Sequence, residues 1–229
     1  MNGRIRGVIF DWGGVLTSPV NQTIQDWLSR ERIDRARYLE VMLPWIGHAY
    51  GPGGSESPIH ALERGEVGDK EFERTLAGLL VDVDGGPVPA DGLLRRMFAA
   101  SEPDQRMLEM VRSLRESGLR TGMLSNSWGV GDFYRAEAVE GLFDDRVISA
   151  EVGMRKPEER IFRLAARRLG LAPAECVFVD DVEANVAAAR ELGFVAIVHT
   201  QAAATRAELA QVLPGWERGG QGAPSGMRA

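Results

Sequence analysis

The sequence predicts an α/β fold, a doubly wound parallel sheet with a small helical cap inserted after the first strand. Three observations predict it. Short apolar runs recur and stop abruptly at small, polar or acidic residues; helical periodicity with glycine stops fills the chain between the later runs; and the stretch after the first run is helical without a comparable strand.

The first run, Gly7-Val8-Ile9-Phe10, leads into Asp11-Trp12-Gly13-Gly14. The second, Thr121-Gly122-Met123-Leu124, leads into Ser125-Asn126-Ser127, and the third, Cys176-Val177-Phe178-Val179, into Asp180-Asp181. None alternates, as befits strands covered on both faces. Between them, residues 105–117 place Leu108, Val111 and Leu114 at helical spacing before Gly118. Residues 157–169 carry a stripe of Ile161, Leu164 and Ala165, closed by Gly170, with Pro157 at the expected first helical position. A helix over 183–192 and a strand over 195–198 complete the alternation. From Asn21 to Tyr50 and from Pro58 to Ala100 the chain reads as mostly helical, with loops at 51–55 and 82–89. The expected division is residues 1–16 and 101–214 as the α/β core, 17–100 as the cap, and a disordered, Gly-, Pro- and Ser-rich tail over 215–229.

Bulk properties narrow the partners. With 229 residues and 44% hydrophobic content the chain can bury a sizeable core. A net charge of -6 offers no basic stripe for a nucleic-acid backbone. The apolar run after Arg4 and Arg6 is cut by Asp11, so neither a secretory leader nor a membrane span is expected, and a cytoplasmic location is. The single cysteine, Cys176, sits in an apolar run and reads as a buried, inert thiol.

Parallel sheets gather the carboxyl ends of their strands on one edge, where ligands bind. Asp11, Ser125, Asp180 and Asp181 should converge there. Each alone has a plainer reading, a turn or a helix cap; three strand ends together do not. Carboxylates brought together must protonate or share a cation, and all-oxygen ligation with room for waters and a phosphate points to magnesium. Lys156, one of two lysines against 25 arginines, stands in Gly153-Met154-Arg155-Lys156-Pro157 and supplies a positive charge opposite the metal.

Asp11, Ser125-Asn126, Lys156-Pro157 and Asp180-Asp181 resemble, in order and type, the four motifs of the haloacid dehalogenase superfamily. The resemblance covers about residues 5–212. It is closest to the branch of the soluble epoxide hydrolase amino-terminal phosphatase domain, through Leu124-Ser125-Asn126-Ser127-Trp128, Val152 to Pro157, Phe178 to Asp181 with Asn185, and the cap segment Glu63-Arg64-Gly65-Glu66-Val67 followed by Phe72. The resemblance implies a magnesium-dependent phosphomonoesterase acting on a small phosphorylated metabolite. Asp11 would be the nucleophile; Ser125, the Asn126 backbone and Lys156 would hold the phosphate. Magnesium would be bound by Asp11, the Gly13 carbonyl and Asp181, with Asp180 acting through water or supporting Asp181.

One departure matters. Most phosphatases of this superfamily carry an aspartate two residues after the nucleophile, which protonates the leaving oxygen; here the position is Gly13. Two other readings follow. A phosphonoacetaldehyde-hydrolase-like enzyme would need a cap lysine, and Lys70 is the only one, in what reads as a solvated helix start. A binding module that kept the fold and lost the acid is the other. Trp128 is a candidate for the pocket mouth, and the cap residues Trp27, Trp45, His48, Tyr50 and His60 are candidate substrate contacts that equally suit packing. Glu56, His48 and His60 are the first places to seek a substitute acid.

Overall fold

The computed structural model describes residues 4–50, 57–128, 134 and 139–216, with only the backbone of 48–50. Five parallel strands form one sheet: β1 (Gly7–Phe10), β2 (Arg120–Ser125), β3 (Asp145–Ile148), β4 (Cys176–Asp180) and β5 (Val195–Val198), in the order β3-β2-β1-β4-β5. Register places Phe10 beside Met123 on one side and Val179 on the other, so the three motif-bearing strands end level at the middle of the sheet.

The unalternating runs are explained by what covers them. Val8, Phe10, Met123, Val177 and Val179 face one layer, with Met107, Val111 and Leu114 of α6 (Gln105–Glu116) and Leu209 of α10 (Ala202–Val212). Ile9, Leu124, Cys176 and Phe178 face the other, with Ile161, Phe162 and Ala165 of α8 (Glu159–Arg168) and Val186 and Ala189 of α9 (Glu183–Glu191). Each such side chain contributes about 1.5–3 kcal/mol on burial, so the central strands are held from both faces. The α6 start is capped by Asp104, whose carboxylate accepts from the N–H of Arg106 at 2.9 Å and of Met107 at 3.3 Å. Cys176 is fully buried, which pushes its thiol up to about 12.

Between β1 and α6 lie α1 (Val20–Arg30), α2 (Arg35–Tyr50), α3 (Pro58–Glu63), α4 (Asp69–Ala77) and α5 (Leu93–Met97). They make a separate apolar cluster around Trp27, Met42, Ile59, Phe72 and Leu93. The chain leaves the sheet layer and returns to it side by side: Ser18 N–H donates to Glu102 O at 2.8 Å and Asp104 N–H to Leu16 O at 2.9 Å.

Several sequence expectations change. Strand β3 was not foreseen, because its sequence Asp-Arg-Val-Ile buries only Val147 and gives an edge strand little apolar signal. Pro157 is not the first residue of a helix; α8 begins at Glu159 and the Lys156–Pro157 peptide is cis. Residues 21–50 form two helices, with Arg32 at φ 54° in the turn between them. At the tail, Trp216 is buried against the core rather than disordered, because its indole completes the α6/α10 layer. The expected loop over 51–55, Glu56 and the tail beyond Trp216 lie outside the described residues. No helix among those described is long and apolar enough to cross a membrane.

Candidate active site

The strand ends meet as the sequence predicts. Asp11 follows β1 and donates its N–H to Val179 O at 2.9 Å, which fastens it beside β4. The Lys156 ammonium, buried, lies 2.8 Å from Asp11 Oδ1 and 2.6 Å from Asp180 Oδ2. Asp180 is fully buried and saturated: its Oδ1 also accepts from the Val182 N–H at 2.8 Å and the Asn185 amide at 3.0 Å. Asp181 presses on the turn after β1, where Gly14 has φ +79° and a Cβ would fall 2.3 Å from Asp181 Oδ2. Only glycine fits there.

Ser125 ends β2, and its Oγ accepts from the Tyr134 hydroxyl at 3.3 Å. The Asn126 side chain binds the Lys156 backbone twice, accepting from its N–H at 2.9 Å and donating to its carbonyl at 3.1 Å. So the Asn126 side chain braces the lysine loop. Tyr134 carries no signal at sequence level, because nothing in the sequence sets it apart from its neighbour Phe133.

Charge makes this floor unstable by itself. Three carboxylates, those of Asp11 and Asp180 buried and that of Asp181 not, stand against one ammonium and leave an excess of negative charge when all are ionised. Burial raises Asp11 to about 8; Lys156 opposes this, while Asp180 and Asp181 add to it. Asp181 is raised to about 6 by burial and by Asp180. Lys156 pays for its own burial, but Asp11 and Asp180 hold it above its ordinary value. Carboxylate oxygens of Asp11, Asp180 and Asp181 lie within 4.8 Å of one another, a hard-ligand set for a divalent cation. Asn185, which lines the same cavity, donates its amide to Asp180 and leaves its buried Oδ1 without a hydrogen-bond partner. These residues fit a magnesium ion.

Above the floor is a cavity of about 190 Å³. Asp11, Gly13, Ser125, Asn126, Lys156 and Asp181 form its base, and Val20, Ile24, Tyr38, Ile46, Phe98 and Trp128 its roof. Trp128 both lines the cavity and packs on the cap, 6.3 Å from the Phe72 ring and 5.6 Å from that of Phe98. Other cap candidates are structural. Trp27 is buried against Tyr38, Trp45 packs on Phe72, and His60 is buried in α3 away from the cavity lining. The side chains of His48 and Tyr50, and all of Glu56, lie outside the described residues. Lys70 is exposed in the first turn of α4 and does not line the cavity, which removes the amine a Schiff base needs. Among the described lining residues, Asp11 and Asp181 are the only carboxylic acids.

The family of haloacid dehalogenase-like hydrolases matches residues 5–193. Mouse bifunctional epoxide hydrolase 2 is 31% identical over 222 residues, covering 88% of this chain but 38% of that protein, so the chain spans well under half of that relative's length. D-ribitol-5-phosphate phosphatase of Bacteroides thetaiotaomicron is 25% identical over 218 residues, covering 91% of this chain and 98% of the relative. A crystal structure of a haloacid dehalogenase family enzyme from the same bacterium, with magnesium and inorganic phosphate, superposes with a TM-score of 0.61 at 20% identity, over 86% of this chain and 94% of that one, and shares the fold. With the four motifs gathered on one sheet edge and the match running through all of them, the chain belongs to the haloacid dehalogenase-like hydrolases.

Proposed function

We propose that the protein is a magnesium-dependent phosphomonoester hydrolase that acts through an aspartyl-phosphate at Asp11 on a small ester whose organic part is apolar. The observation that supports this most is that Asp11, Ser125, Asn126, Lys156 and Asp181 line one cavity. Its relative named for ribitol-5-phosphate and the magnesium and phosphate of its structural neighbour accord with the same chemistry.

Asp11, Asp181 and the Gly13 carbonyl would hold the cation, with Asp180 fixed behind them by Lys156 and Asn185. When bound, magnesium offsets the crowded carboxylates and the charge of the phosphoryl group. An Asp11 carboxylate oxygen attacks phosphorus; the ester P–O bond breaks, and its electron pair leaves with the ester oxygen, which takes a proton from water. A second water, giving a proton to the hydroxide that the first step leaves, then attacks phosphorus and the bond to Asp11 breaks, releasing inorganic phosphate and restoring the carboxylate. The Ser125 hydroxyl, the Asn126 N–H and the Lys156 ammonium hold the phosphoryl oxygens throughout. The roof favours a hydrocarbon: each buried methylene contributes about 0.8 kcal/mol, whereas each hydroxyl buried without a partner costs about 1–3 kcal/mol.

The test is phosphate release from alkyl, aryl and polyol phosphates, with magnesium and with a chelator. Turnover should require magnesium, and Asp11→Asn should lower it by about 10³-fold or more. Full activity in chelator overturns the metal assignment, and substantial turnover by Asp11→Asn overturns the covalent intermediate.

A further inference from the structure

The cap segment Glu63-Arg64-Gly65 has no part in the chemistry above, yet it makes the most heavily buried polar contacts between cap and core. Glu63 ends α3 and is completely buried. Its carboxylate pairs with the guanidinium of Arg155, also buried, which is the residue immediately before Lys156. Its carbonyl accepts from the Ser149 hydroxyl, at the start of α7 (Ser149–Val152). The same hydroxyl accepts from the Ser127 N–H at 2.7 Å, in the loop that carries Ser125 and Asn126. Gly65, at φ +71°, lies flush on α7, where a Cβ would meet Ala150 O at 2.9 Å. Arg64 reaches Glu158 at 2.6 Å, two residues beyond Lys156.

One cap residue therefore touches the Lys156 loop directly and reaches the Ser125-Asn126 loop through the Ser149 hydroxyl, and those loops hold each other through the Asn126 side chain and the Lys156 backbone. A buried ion pair is weak evidence for stability, since apolar residues of similar volume often do as well. What it does supply is a fixed geometry. We infer that Glu63 and Arg155 are positioning residues: they clamp the cap to the Lys156 loop so that the ammonium stands between Asp11 and Asp180, making the floor complete only while the cap is docked at this corner. This rests on the phosphatase reading for its kinetic arm alone.

The experiment compares Arg155→Lys, Arg155→Met, Glu63→Gln and the double variant Glu63→Gln/Arg155→Met. Each single neutralisation removes one charge of a buried pair and should lower both Tm and kcat, the latter by about 10- to 100-fold, the scale seen when a group that orients a site residue is lost. Arg155→Lys, which keeps the charge, should recover part of kcat. In the double variant both charges of the pair are gone together, so Tm should return towards wild type while kcat stays low and KM changes by less than about threefold. Backbone amides of residues 153–158 should exchange faster in the double variant, a readout that needs no substrate. A double variant with wild-type kcat and unchanged exchange would show that the pair only holds the fold together and overturn the inference. If the wild-type protein hydrolyses no phosphomonoester, the functional reading fails, and the exchange arm still decides the clamp.

Discussion

The floor and the roof of the cavity are built by different means. The floor is polar and comes from β1, β2 and β4, whose ends are levelled by sheet register; its carboxylates and ammonium hold one another at hydrogen-bond distance. The roof is apolar and comes from α1, α2, the end of α5 and Trp128, held by ring contacts near 6 Å and by shape alone. Backbone hydrogen bonding fixes the first to within tenths of an ångström, whereas packing leaves the second open to change by single substitutions. Reaction and selectivity are thus separable, and three measurements can break or sharpen the separation.

The largest effect concerns Gly13, the place where floor and roof meet without an acid. General acid catalysis is typically worth about 10²- to 10⁴-fold, and no described lining residue other than Asp11 and Asp181 carries a carboxyl group. Enzyme phosphorylation by aryl and alkyl phosphates of similar size should therefore slow steeply as leaving-group pKa rises. Gly13→Asp should flatten that slope if its side chain reaches the ester oxygen. A flat wild-type slope, in single turnovers where chemistry is the observed step, would mean that the cap supplies an acid and that the roof takes part in the reaction.

Smaller changes should follow from the roof. Ile24 lines the cavity from α1 and packs on the apolar cluster of the cap. Ile24→Ala removes methyl and methylene groups from the surface a hydrocarbon would cover, so kcat/KM for a long alkyl phosphate should fall about tenfold. For methyl phosphate, too short to reach α1, it should hardly move. Equal losses for both esters would show that the cap perturbs the floor, contrary to the separation.

The same contrast explains what the sequence could disclose. Asp11, Ser125 and Asp180 were legible because a strand end is a local feature: an apolar run, then a polar stop, with the parallel sheet supplying convergence. Lys156 was legible through its rarity and its proline. The roof was not, because Ile24, Phe98 and Trp128 lie far apart in sequence, and helical spacing does not tell a residue facing a cavity from one facing a core. Trp27 and Trp45 were equal candidates and turn out to pack inside the cap. The Glu63–Arg155 contact was hidden for a related reason: two charged residues 92 positions apart read as solvated unless the fold buries both. Strand β3 was missed because its one buried side chain, Val147, leaves no run to detect.

The smallest effect is thermodynamic and isolates the floor from any substrate. In the metal-free protein Asp11 is raised from its ordinary 3.8 to about 8, by burial first, with Lys156 opposing and the two neighbouring carboxylates adding to it. A group with a raised folded value binds its proton more tightly when folded, so its contribution to stability is complete below the unfolded value and is lost as pH rises through the folded one. In chelator, the Tm of the wild type should accordingly lose ground to that of Asp11→Asn between about pH 4 and about pH 8 and then hold a constant gap. For a chain of this length each kcal/mol corresponds to about 2–4 °C, so the widening should be read directly as a shift in Tm. Magnesium should close most of it, because the cation stabilises the ionised carboxylate that burial opposes. A gap that does not widen with pH would mean that Lys156 alone keeps Asp11 ionised, and the floor would then be balanced without a metal. Widening in chelator together with closure in magnesium is the pattern that carboxylates outnumbering the one ammonium at this floor demand.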